Sequence, residues 1–415
     1  MPDKKKSASL FLCLSFLLLL LSPCPAQEKT KDVVVGSSYL FAPQTIKGSI
    51  EVNVHLPEGY AESEERYPVL YLLDVEKDFV FGSAVADFLA ANNRIPDLIV
   101  IGVFLGKASG APPQLIEFLE KELFPSVEKN YRVQPCRVLY GHSARSFATL
   151  FVLLNRPDLF YGYIGAGLGL TSPPFTTAVD LVKLFDVRLS RMTTLKKSFY
   201  FVLGNEQPFF PGVDQFISIL KSKAPKDLDW KYENMENDDH FSNKLKTLYN
   251  GLEHVFRGWY PALESAKTGP EAIKADYDRL SDRLGFPIGL PQDEIHRAVM
   301  NWLAYQGNVD LALSLVRGLR SKFGFDSGVS EGDLMFAGGF AAGGSKFDDA
   351  VKIYSFLCEQ YPASAQGFNG LGEAYEKSGR PELALKNYEK AVQLAREKND
   401  PGLKRYLDNL ERLKR

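Results

Sequence analysis

A serine in a tight turn and a few histidines are the residues of this sequence best suited to do chemistry. Tyr140-Gly141-His142-Ser143-Ala144-Arg145 follows a short apolar run, Arg137 to Tyr140, and opens a helical one, Ala144 to Leu154. A serine held on a sharp strand-to-helix turn projects above a sheet as a nucleophile, and small residues two positions before and after it relieve the crowding there. Gly141 supplies the first small position; Arg145 stands at the second, with Ser146 after it. The same stretch also suits a plain helix N-cap, where serine is favoured.

A nucleophilic serine needs a base, and the chain has five histidines. His55 lies in an early strand-like run ahead of the serine. His142 adjoins Ser143 and should point away from it. His254 lies in an apolar helical stretch, and His296 belongs to the C-terminal part. His240 occupies the polar loop from Glu236 to Ser242, after the strand-like Trp230 to Tyr232 and before a helix from Leu245 to Phe256. It is the candidate general base, the alternative being a solvated loop histidine. The acid that would orient its ring should follow the buried run Ser198 to Leu203. Glu206 does so; Asp214 is the reserve, and Asp238 and Asp239 stand close to His240 in sequence. A negative oxygen developing on the substrate needs two backbone N–H donors. Ala144 is one candidate, and Val75 or Glu76, after the run ending at Asp74, is the other.

The elements that must carry these residues alternate. Val52, Val54 and Leu56 share one face of a strand. Pro68 to Asp74 and Leu98 to Phe104 are continuous apolar runs, as strands buried on both faces require. Leu115 to Val127 has helical apolar spacing. Strands alternating with helices predict a mainly parallel sheet covered on both sides, spanning residues 33–262. Residues 263–290 are expected to be a linker or bridging helices. Residues 291–415 read as an all-α domain. There Gly372, Tyr375, Ala384, Tyr388 and Ala391 fall where a tetratricopeptide (TPR) repeat places glycine, aromatic and alanine. One period of about 34 residues earlier stand Gly338, Ala350 and Tyr354. Ala304 to Leu313 suggests a more degenerate unit before them; a plain helical hairpin bundle is the alternative.

Length and composition set the outer limits. The 415 residues are enough for two domains, and 45% apolar with 24% charged residues is ordinary for a globular chain. A formal net charge of −2 offers no basic excess for nucleic acid. Lys4 to Lys6, the apolar run Ala8 to Leu21 and the break Ser22 to Ala26 form the three regions of a secretory signal peptide over residues 1–26. An uncleaved anchor, or a lipid on Cys24, are the alternatives. The expected location is periplasmic or secreted, with no membrane span in the mature chain. Of four cysteines, Cys13 and Cys24 lie in this leader; Cys136 and Cys358 show neither a disulfide framework nor metal-ligand spacing. No cofactor or metal is called for.

From about Val52 to Trp259 the chain resembles the esterase family of α/β-hydrolases that includes esterase D, enterochelin esterases, feruloyl esterases and the mycolyltransferases. The resemblance rests on Leu56 to Tyr60, Arg66 to Asp74, Phe118 to Pro125, Gly141 to Ser143, Asn155 to Phe160, Gly204 to Glu206 and Asp239-His240. The order Ser, acid, His is also that of α/β-hydrolases. The resemblance implies acyl-ester hydrolysis, or acyl transfer, through a Ser143–His240–Glu206 triad. The expected substrate is a small-molecule or conjugated ester or thioester, and two helical pairs bury little by themselves, so the TPR-like tail is expected to pack on the catalytic domain or on a protein partner. Arg145-Ser146 stands where the family has Gly-Gly, and Asp74-Val75 where it has Asp-Gly. Only Gly106 to Ala111 remains of a loop that many members carry. The alternative is a non-catalytic scaffold of the same fold that binds a ligand or protein.

Overall fold

The computed structural model describes residues 34–73, 76–105, 112–168, 170, 181–259 and 263–415. The expected leader 1–26, Asp74, Val75 and the loop 106–111 lie outside the described residues. The described strands are β1 (Ser37–Phe41), β2 (Ile50–His55), β3 (Tyr67–Leu73), β4 (Ile99–Phe104), β5 (Val133–His142), β6 (Gly162–Ala166), β7 (Ser198–Gly204) and β8 (Asp229–Met235). They form one sheet in the order β1-β2-β4-β3-β5-β6-β7-β8. β1 and β2 run antiparallel along one edge, and from β4 to β8 every pairing is parallel. This is the sheet of an α/β-hydrolase fold.

Every residue of β3 and β7 is buried, as their unbroken apolar sequences demand. Successive side chains of a strand point to opposite faces, and the core divides accordingly. Leu70, Leu72, Val138, Tyr140, Tyr200 and Val202 join one apolar cluster, covered by the helices Glu76–Ala91 and Asn243–Val255. Val69, Tyr71, Leu139, Tyr163, Phe199 and Phe201 join the other. That side is covered by Ala144–Asn155, Phe210–Lys223 and a helix that runs through a π-helical turn, Leu119–Leu123, into Phe124–Asn130.

Sequence reading missed β6, because two of its five residues are Gly162 and Gly165 and glycine is depleted in strands. The structure needs the first of them small. A Cβ on Gly162 would lie 2.8 Å from the Val255 side chain, in the helix packed above it.

Beyond the sheet the chain is helical. Residues 263–290 contain Leu263–Thr268 and Pro270–Leu284, and Ile273, Tyr277, Leu280 and Leu284 bury one face of the latter in the first apolar cluster. The Tyr277 hydroxyl donates to the Trp259 carbonyl at 2.8 Å. Antiparallel helices follow, among them Glu331–Gly343, Phe347–Gln360, Ala365–Lys377, Pro381–Lys398 and Leu403–Lys414. The periodic residues have a steric purpose. A Cβ on Gly338 would meet the Tyr354 ring at 2.7 Å, and one on Gly372 would meet the Tyr388 ring at 2.6 Å, the same contact one period later. No described helix is long and apolar enough to cross a membrane.

Candidate active site

Strand β5 delivers Ser143 at its C-terminal end, directly before the helix Ala144–Asn155. The serine sits at φ 55°, ψ −121°, a conformation that side chains other than glycine rarely adopt. Its N–H donates to the Ala166 carbonyl at the end of β6, 2.9 Å away, which holds the turn. Gly141 is required by the same turn, since a Cβ there would lie 2.3 Å from the Arg145 carbonyl oxygen. Arg145 itself is only half-buried. The close approach of helix to sheet is made by its backbone against Gly141, and the buried Ser146 lies at ordinary contact distance from Gly165. A glycine at position 145 is therefore not needed for this packing.

Ser143 Oγ lies 2.9 Å from His240 Nε2. His240 Nδ1 lies 2.5 Å from Glu206 Oε2. A carboxylate only accepts, so Nδ1–H donates to it and Nε2 is left to accept from the serine hydroxyl. Glu206 follows β7 and is buried. Its other oxygen accepts from the Gly204 N–H at 3.2 Å and the Asn243 side-chain amide at 3.4 Å. A buried charge needs such partners. The loop bearing His240 is drawn onto the end of β7 by the Asn205 N–H, which donates to the Asp238 carbonyl at 2.7 Å. Gly204 must be small for this, as a Cβ there would come within 2.6 Å of that carbonyl oxygen.

The His142 side chain engages the loop that bears His240. Its Nε2–H donates to the backbone carbonyl of His240 at 2.6 Å, and the two rings lie 4.6 Å apart. Burial, with His240 and Lys244 nearby, pushes the His142 pKa down to about 4. The ring is therefore neutral at neutral pH, and its single N–H is at Nε2, since the carbonyl opposite can only accept.

The remaining histidines engage other carboxylates: His55 faces Asp87 at 2.8 Å, His254 faces Asp229 at 3.4 Å and His296 faces Asp333 at 3.1 Å. Asp214 is exposed on the helix Phe210–Lys223, and Glu206 takes the place beside His240. Ala144 is the first residue of its helix, so its N–H has no acceptor within that helix. Glu76 likewise opens the helix after β3, and β3 ends with Leu73 paired to Gly141, next to the serine turn. Val75 lies outside the described residues.

Sequence reasoning overlooked Gly167 and Asn243. Gly167 has φ 58°, and a Cβ there would lie 3.0 Å from His240 Nδ1 and 3.5 Å from Glu206 Oε1. It forms the floor under the His–Glu pair. In sequence it is one of several glycines between Gly162 and Gly169, with nothing to single it out. Among the described residues no group of three or more His, Cys, Asp or Glu side chains could hold a metal ion.

The family described as Putative esterase matches residues 43–266. No curated protein matches the sequence. The solved structure of an IroE-like serine hydrolase from Shewanella oneidensis is 23% identical, with a TM-score of 0.57, covering 69% of this chain and 99% of that one. That of an uncharacterised protein from Capnocytophaga ochracea is 15% identical, with a TM-score of 0.53, covering 91% of this chain and 99% of that one. At these identities the likeness is one of fold, and in the second case it takes in C-terminal helices as well as the sheet.

Proposed function

The chain belongs to this esterase family and is an ester-cleaving hydrolase, and from that premise we propose that it cleaves a carboxylic ester or thioester through a Ser143–His240–Glu206 triad. The observation that carries the reading is the unbroken hydrogen-bonded line from Ser143 Oγ through the His240 ring to the buried Glu206 carboxylate. Ser143 Oγ attacks the acyl carbon while its proton passes to His240 Nε2. The carbonyl oxygen becomes negative and accepts from the Ala144 N–H and from a second donor at the start of the helix opening at Glu76. His240 then gives its proton to the departing oxygen or sulfur, leaving an acyl group on Ser143. Water attacks that acyl carbon with His240 again as base, releasing the acid and the free serine. Glu206 stabilises the ring while it is charged and fixes its tautomer.

Export fits the same reading: residues 1–26 act as a cleaved leader and the enzyme works in the periplasm or outside the cell. The helical tail reads as TPR-like and offers a surface for a protein partner. The exposed rings of Tyr305, Phe336 and Phe340, with Tyr305 and Phe340 5.4 Å apart, support a contact surface there.

The test is hydrolysis of a p-nitrophenyl ester combined with labelling by a fluorophosphonate. Ser143→Ala and His240→Ala should each lower kcat by about 10⁴- to 10⁶-fold, and together by no more than either alone, because such residues act as a unit. Ser143→Ala should also abolish labelling. Full turnover in Ser143→Ala ends the triad reading.

A further inference from the structure

Phe241 is the residue directly after His240, and its side chain is 71% exposed. Leaving an aromatic side chain of this size in water forgoes a large hydrophobic gain. Nor is the ring on a loose loop. The Phe241 N–H donates to Asp239 Oδ1 at 2.9 Å and the Ser242 N–H to the same oxygen at 2.8 Å. The Asp239 N–H donates in turn to Ser242 Oγ at 2.9 Å. The turn therefore fixes the backbone on both sides of the phenyl group. The ring stands edge-on to His240, centroids 5.2 Å apart and planes at 83°, and lies 6.2 Å from His142.

The rest of the His240 imidazole is largely surrounded. Gly167 and Glu206 lie against Nδ1, Ser143 faces Nε2, and the His142 ring packs beside it at 4.6 Å. In ester cleavage the proton that His240 receives goes on to the departing oxygen or sulfur. The leaving group must accordingly lie within hydrogen-bond reach of Nε2, whereas the acyl group stays on the serine. An exposed phenyl ring on a backbone fixed by hydrogen bonds, beside that imidazole, is within reach of a leaving group held there.

Resting on the esterase reading, we infer that Phe241 is a specificity residue that packs against the leaving group and selects a planar, apolar alcohol or thiol portion over a small aliphatic one. Offset-stacked and edge-to-face contacts reward a flat aromatic partner beyond the area they bury.

The experiment compares the wild-type chain with Phe241→Ala on two esters that share one acyl group, 2-naphthyl acetate and ethyl acetate. It adds a p-nitrophenyl series from acetate to octanoate. Taking the variant-to-wild-type ratio for each ester removes differences in intrinsic reactivity. The expected result is a roughly tenfold fall in kcat/KM on 2-naphthyl acetate, carried mainly by KM, with less than a twofold change on ethyl acetate. The ratio should be constant along the acyl series, and Phe241→Tyr should restore the 2-naphthyl activity. An equal loss on both acetates would mean that Phe241 only steadies His240, and a loss that grows with acyl length would place it in the acyl pocket. Either result, or no change, overturns the inference. Failure of the underlying reading looks different: the wild-type chain cleaves none of these esters and Ser143 takes up no fluorophosphonate.

Discussion

Replacing Gly167 by alanine should damage the His240–Glu206 pair more than it damages the fold. The position has φ 58°, where a Cβ costs about 1–2 kcal/mol through its clash with the following carbonyl. That part is a loss of stability and should appear as a modest fall in the denaturation midpoint. The second effect is local. The new methyl carbon would start 3.0 Å from His240 Nδ1 and 3.1 Å from Cε1, so the ring must give way by a few tenths of an ångström or more. The ring already holds a 2.5 Å bond to Glu206 and a 2.9 Å bond to Ser143, and it cannot move without lengthening at least one. Misplacement of a reacting group by about 1 Å costs on the order of 10²-fold in rate. A smaller shift should cost about 10- to 100-fold in kcat on a p-nitrophenyl ester, with KM little changed and slower fluorophosphonate labelling of Ser143. The assay must be run well below the denaturation midpoint, so that the folded fraction is the same in both proteins. If Gly167→Ala keeps the wild-type kcat at equal folded fraction, the contact does not govern the ring's position and the argument fails.

Two further outcomes follow from burial. His142 titrates near 4 in the fold, against about 6.5 for a free imidazole. Unfolded chains therefore take up its proton first as pH falls, so stability is complete above about 6.5 and is lost progressively down to about 4. Burial likewise lowers the His254 pKa to about 4, so His142→Gln, which keeps an amide donor for the His240 carbonyl, should reduce the pH dependence of the urea midpoint across that window by about half; an unchanged slope would show that His142 does not contribute to it. Tyr277→Ala should destabilise the whole chain, sheet included, by about 3–5 kcal/mol, as large-to-small core changes do. Loss of the tail's cooperative transition alone, with the sheet's unchanged, would mean that the helix Pro270–Leu284 is not part of the common core.

Where the sequence spoke clearly, it did so through residues with few alternatives. Five histidines could be sorted by the element each occupied, and only His240 fell in a polar loop behind the last strand. Glu206 was legible because it follows an unbroken apolar run that could only be a buried strand. What stayed hidden depended on distance across the fold. Gly167 earns no notice until the His240 ring is seen to lie on it. Strand β6 was obscured by the glycines that let a helix approach it. Arg145 looked like a break in the turn because the sequence pattern treats the two flanking small positions as equivalent. The structure shows why they differ here: Gly141 is pressed against the backbone carbonyl of Arg145, so no side chain fits there, while the half-buried Arg145 takes part in that contact through its backbone and not its side chain.

The helical tail bears on the site through the element that follows His240. That histidine leads into the helix Asn243–Val255, whose Asn243 donates to Glu206 and whose Leu248, Leu252 and Val255 point into the first apolar cluster. The same cluster contains Ile273, Tyr277, Leu280 and Leu284 from the helix Pro270–Leu284, then Trp302 and Leu313, and on to Leu357 and Leu371. Residues lining the sheet and residues of the C-terminal helices thus share one apolar interior. The Lys244 ammonium, one turn after His240, also meets the buried Asp78 carboxylate at 3.0 Å, tying this helix to the one that opens at Glu76. Close-packed interiors transmit displacement rather than absorb it. A change in how the tail is seated would therefore be felt along the helix that follows His240 and carries the amide bound to Glu206.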